Sequence, residues 1–153
     1  VPDSLLVVTE PRPVAARHLP YTRTEVAVVT RAFPSAHVLQ YEDATFTGVL
    51  EALRGATVYH FACHGYANFV KPLSSGLLMA DDNVLTVAHL LEERLSGKRL
   101  AVLSACETGM PSDLKHADEF VGLPAGFLQA GVAGVVAALW SVDDRSTMML
   151  MAR

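Results

Sequence analysis

The sequence predicts an α/β fold with a mainly parallel sheet covered by helices on both faces. Short apolar runs of strand length alternate with segments whose apolar residues recur at helical spacing, the order that crossover helices between parallel strands produce. The composition agrees: of 153 residues, 51% are hydrophobic and 18% charged. A sheet buried on both sides needs that excess of apolar side chains. The length suits one domain with a sizeable core, so residues 1–153 are read as a single unit.

Ser4 to Thr9, with Leu5, Leu6, Val7 and Val8, is a short buried strand. Pro11, Pro13 and Pro20 make Glu10 to Pro20 a loop. Thr22 to Phe33 carries Val26, Val29 and Ala32 on helical spacing, with Thr22 and Glu25 in the pattern of a capping box. Pro34 and Ser35 stop that helix, and Ala36 to Tyr41 is the next strand. Thr45 to Leu53 places Phe46, Val49, Leu50 and Leu53 on one helical face, with Gly55 expected as the closing C′ residue. Thr57 to Ala62 is the strand that leads to His64.

Gly76 to Ala80 and Val84 to Thr86 flank an Asp81-Asp82-Asn83 turn and predict a hairpin. Thr86 then caps a helix to about Leu95, which Ser96 and Gly97 end, and Arg99 to Ala105 is the central strand. Asp118 to Ala130 has helical character, with Pro124 as a kink or a restart and Gly131 as the stop. Val132 to Leu139 is the last strand, and Asp143 begins a final helix. The chain starts on Val and stops within that helix, which predicts a trimmed piece of a longer protein.

The totals narrow the function. A net charge of −4 offers no basic footprint for nucleic acid. The start lacks the basic and apolar regions of a signal peptide. The uncharged run Val121 to Val142 is long enough for a membrane span, but Gly122, Pro124, Gly126, Gln129, Gly131 and Gly134 interrupt it. Two cysteines that look reactive rather than paired point to a reducing, cytoplasmic setting.

Two stretches carry chemistry. Leu100-Ala-Val-Leu-Ser-Ala-Cys-Glu-Thr-Gly-Met110 delivers Cys106 where a buried strand leaves the sheet, and Val58-Tyr-His-Phe-Ala-Cys-His-Gly65 delivers His64 and Gly65 in the same way. Open α/β folds build their sites at such strand ends. The 42 residues between His64 and Cys106 are enough for the two strands to lie side by side. A thiolate attacks and an imidazole moves the proton, while the amides of Gly65 and Cys106 are candidate oxyanion donors. Against this stand a Cys packed as a small hydrophobe and a hydrogen-bonded core histidine.

His60-Phe-Ala-Cys-His-Gly65, Leu103-Ser-Ala-Cys-Glu-Thr-Gly109, Glu119-Phe-Val-Gly-Leu123 and Val135-Val-Ala-Ala-Leu-Trp-Ser-Val-Asp-Asp-Arg145 together resemble the CHAT family. These are caspase-like peptidase domains, similar to separase and often joined to tetratricopeptide repeats. The resemblance implies a caspase-like three-layer α/β/α sandwich and a cysteine endopeptidase. In it His64 matches the catalytic histidine and Cys106 the nucleophile, with Gly65 and Cys106 at the oxyanion hole. It implies no metal and no cofactor. Asp144 matches best the acidic residue of the pocket for a basic (Arg or Lys) substrate residue, with Asp143 beside it as the alternative. Asp143 could equally cap the final helix.

Cys63 is expected to point into the core, on the face of its strand opposite His64. A zinc site from His60, Cys63, His64 and Cys106 fails on spacing. Glu107 reads as a solvated turn residue, Asp118 and Glu119 as a helix N-terminus, His89 and His116 as surface or cap positions, and Trp140 as a wall of core or cleft. The Lys71 to Ser75 loop is a candidate cover for the cleft. The expected partners are a protein or peptide substrate and a repeat segment, with no membrane and no directly bound nucleic acid. The alternative function is a catalytically silent interaction domain of the same fold.

Overall fold

A computed structural model describes residues 3–68, 70–104, 122–138 and 142–153. Five strands form the main sheet: β1 (Ser4–Thr9), β2 (Ser35–Gln40), β3 (Val58–Ala62), β7 (Leu100–Ser104) and β8 (Val135–Ala137). They run in the order β2-β1-β3-β7-β8, and every pairing is parallel. Between β3 and β7 the chain adds a small antiparallel sheet of β4 (Gly65–Tyr66), β5 (Gly76–Leu78) and β6 (Val84–Thr86).

The alternation of side chains along the central strands assigns the helices to two faces. Leu6 and Val8 of β1 and Tyr59 and Phe61 of β3 enter one core cluster. Val49 and Leu53 of α2 (Phe46–Gly55), Val87 and Leu90 of α3 (Val87–Glu92) and Phe127 of α4 (Leu123–Ala130) complete it. Phe61 and Phe127 meet with ring centroids 5.6 Å apart. Leu5, Val7 and Val58 face the other way, onto Val26, Val29 and Phe33 at α1 (Thr22–Arg31) and just beyond it. The last helix, α5 (Asp144–Met151), packs against α1. The result is the expected three-layer α/β/α sandwich.

Several local expectations change. Thr22 does not cap α1: Tyr21 holds the cap position, and the Thr22 hydroxyl donates to Leu19 O at 2.8 Å. Glu25 does not reach back to the helix start, because its side chain turns into the sheet and meets His60. Gly55 is the last residue of α2 and lacks the left-handed backbone of a C′ glycine; Ala56 follows in extended form, leading straight into β3. Pro124 lies in the first turn of α4 and so starts that helix rather than kinking it. Helix α3 and strand β8 are shorter than expected.

Other expectations hold. Thr86 caps α3 with a capping box in which His89 is the reciprocal partner. Thr45, expected as the first helical residue, is instead the N-cap of α2. Gly131, at φ 110°, ends α4 in the left-handed region that favours glycine. Gly76 has a steric reason: a Cβ there would lie 2.2 Å from the carbonyl oxygen of Leu85 on the neighbouring strand. Among the described residues no helix is long and apolar enough to cross a membrane.

Candidate active site

His64 stands two residues past the end of β3, at the carboxyl edge of the main sheet. Its Nε2 lies 2.6 Å from the carbonyl oxygen of Arg17, in the loop that follows β1. A carbonyl only accepts, so Nε2 carries the proton, and a neutral imidazole in that tautomer keeps its basic lone pair on Nδ1. On the other side of the backbone, His64 O accepts from Leu78 N–H at 2.9 Å and ties the histidine to β5.

The next residue, Gly65, begins β4 opposite Leu77. The Leu78-to-His64 bond makes Gly65 and Leu77 a non-hydrogen-bonded pair of the antiparallel ladder, so β5 does not take the Gly65 N–H. Cys63 is fully buried in the core cluster with Tyr59 and Phe61, away from His64, as the strand alternation predicts. Cys106, the candidate nucleophile, lies outside the described residues. So do Glu107, His116, Asp118, Glu119 and Trp140. The register of its strand is described: β3 and β7 pair in parallel from Val58 opposite Leu100 to Ala62 opposite Ser104.

A cleft of about 290 Å³ opens beside His64. It is lined by Glu10, Arg12, Arg17, His18 and Glu42 among others, mostly from the proline-containing loop after β1. Neither the Lys71 to Ser75 segment nor Asp143 or Asp144 lines it. Glu10 directly follows β1, and its N–H donates to Ala62 O at 3.1 Å, fastening it to the end of β3. Its Oε1 takes hydrogen bonds from Arg12 (2.6 Å), His18 (3.2 Å) and the Leu19 N–H (3.3 Å). Burial alone would push this carboxyl up, but those bonds outweigh it and hold Glu10 below the ordinary carboxylate value. The Arg12 guanidinium also stacks over the Tyr41 ring, 4.4 Å from its centroid.

The two aspartates divide their work. Asp143 is the N-cap of α5, its carboxylate accepting from Ser146 N–H at 3.0 Å and from the Ser146 hydroxyl at 3.2 Å. Asp144 is buried, and its Oδ2 accepts from Tyr21 N–H at 3.1 Å, which joins α5 to the start of α1. Its other oxygen, Oδ1, is buried without a hydrogen-bond partner among the described residues. Burial raises the Asp144 carboxyl above its ordinary value, and the nearby Glu25 and Asp143 charges act in the same direction.

Sequence reasoning named His64, Gly65 and both aspartates as candidates and did not single out Glu10 or the Arg17 carbonyl, which the structure brings to His64 and its cleft. Glu10 had one available signal, an acidic residue at the end of a buried strand; a backbone carbonyl has none. Among the described residues, no group of three or more His, Cys, Asp or Glu side chains is arranged to hold a metal ion. None of the curated proteins matches the chain. The CHAT domain, a caspase-like domain related to cysteine peptidases and often linked to tetratricopeptide repeats, matches residues 1–153. With that match over its whole length, and the parallel sheet between two helical layers, the chain belongs to the CHAT domain family.

Proposed function

We propose that this domain is a cysteine endopeptidase that cleaves after Arg or Lys, with Cys106 as nucleophile and His64 as acid and base. The observation that carries the reading is the register of β3 and β7. Ala62 and Ser104 are partners, and two residues further along each chain come His64 and Cys106. The Nε2–H bond to Arg17 adds to it, since it keeps a basic Nδ1 on the imidazole.

In the reaction, Nδ1 accepts the thiol proton and the thiolate attacks the scissile carbonyl carbon. The carbonyl π pair moves to oxygen, where the Gly65 and Cys106 N–H groups receive it. Collapse of this intermediate expels the amine, which takes the proton from the imidazolium and leaves a thioester. Water, deprotonated by His64, then hydrolyses the thioester and returns the thiol. The Oδ1 of Asp144, buried and with no donor among the described residues, is suited to a guanidinium or ammonium group. The Asp143 carboxylate is committed to its cap, so Asp144 is the better candidate of the two.

The substrate is a protein or peptide, the parent protein carries a regulatory repeat segment, and the reducing cytoplasm keeps the thiol active. The test is a peptide probe with a thiol-reactive group after Arg or Lys. It should label Cys106 in the wild type and fail with Cys106→Ala; equal labelling of both would reject the nucleophile and favour a silent interaction domain.

A further inference from the structure

The loop after β1 is held in an unusual way. Glu10 has φ 45°, in the left-handed region that a glutamate rarely adopts. Strain of this kind persists only where surrounding bonds impose it, and here they are identifiable. The Glu10 backbone is fastened to the end of β3 through Ala62 O, two residues before His64. Its carboxylate grips His18 and the Leu19 N–H, the two residues that follow Arg17. The carbonyl between these anchors is the one that accepts the His64 proton. One side chain therefore fixes the distance from the strand that carries His64 to the loop that orients it.

We infer that Glu10 is a positioning residue for His64, acting through the Arg17 carbonyl to hold the imidazole as its Nε2–H tautomer. The inference rests on the proposed role of His64 as the base, and it specifies how that base is set. It depends on reach rather than on charge: the carboxylate must extend from β1 to the Leu19 amide. Glu10→Asp keeps the charge, and aspartate tolerates a left-handed backbone, but it withdraws the carboxylate by one methylene. Glu10→Gln keeps the reach and one acceptor while giving up the charge toward Arg12 and His18.

Two readouts on the whole chain test this. Long-range ¹H–¹⁵N NMR of the His64 ring reports its tautomer whether or not the protein cleaves anything. The pH dependence of Cys106 alkylation by the Arg-containing probe reports the base. The wild type should show the Nε2–H form; Glu10→Asp should lose it and slow alkylation about 10- to 100-fold, as a misplaced catalytic group does. Glu10→Gln should keep the tautomer and lose no more than about 3-fold in rate. A wild-type ring protonated on Nδ1, or equal behaviour of the Asp and Gln variants, would overturn the inference. So would a Gln variant worse than the Asp variant, because charge would then be the cause. If the tautomer follows the expected order while the probe labels Cys106→Ala as well as the wild type, the positioning stands and the peptidase reading fails.

Discussion

In the Glu25→Ala variant, the imidazole of His60, 3% exposed, loses the carboxylate that shares a 2.6 Å hydrogen bond with its Nε2. The pair joins the first turn of α1 to the middle of β3 and lies between the sheet and the helix, where water cannot replace the missing group. Removing one partner of a buried neutral bond costs about 1–3 kcal/mol, and of a buried ionic pair about 3–5 kcal/mol. A loss of about 3 kcal/mol is therefore expected, which for a domain of this size lowers Tm by about 6–12 °C. Replacing both partners with apolar groups in Glu25→Leu/His60→Phe removes the stranded polar group and should recover most of that stability. Urea unfolding of Glu25→Leu, His60→Phe and the double variant gives the coupling, expected to be about 2 kcal/mol. A Glu25→Ala loss below about 1 kcal/mol, or additive effects of the two changes, would refute the view that this pair fastens α1 to the sheet.

Four further expectations can be measured together. Asp143→Ala should lose about 1 kcal/mol through its cap without changing Arg/Lys preference, whereas Asp144→Ala should lose the preference, read as kcat/KM ratios for Arg and Ala peptides. The Asp144 carboxyl is raised in the folded state, so its contribution to stability is greatest in acid and falls as pH climbs through the raised value. Asp144→Asn, which keeps an acceptor for Tyr21 N–H, should thus be at least as stable as the wild type at pH 7 by thermal melting. The Glu10 carboxyl is lowered, which gives the opposite sign: its stabilisation is present above the unfolded value near 4.5 and is lost as pH falls through the folded one. Glu10→Gln should flatten that acid limb. Gly76→Ala must displace backbone and should destabilise by about 3 kcal/mol, the upper end for overpacking, in chemical denaturation.

The layers of this fold were legible because they follow from repeated local patterns. The alternation of Leu5 and Val7 against Leu6 and Val8 commits β1 to two buried faces, and the helical spacing of Val49 and Leu53 supplies a cover for one of them. The place of His64 and Gly65 past the end of β3 was legible for a similar reason, since a polar residue and a glycine stand out from the apolar run before them. What escaped was set by distant partners. The Thr22 and Glu25 spacing has the form of a capping box, yet the Glu25 carboxylate is drawn to the buried imidazole of His60, 35 residues away, and so does not reach the helix start. The Thr22 N–H that the box would have used donates instead to Leu19 O at 3.2 Å, and the Tyr21 N–H is taken by Asp144 across 123 residues. Glu10 belongs to the same class: nothing in Thr9-Glu10-Pro11 states that its carboxylate will bridge to Leu19. The contact between His64 Nε2 and the Arg17 carbonyl is likewise tertiary, and no local pattern in the sequence states it.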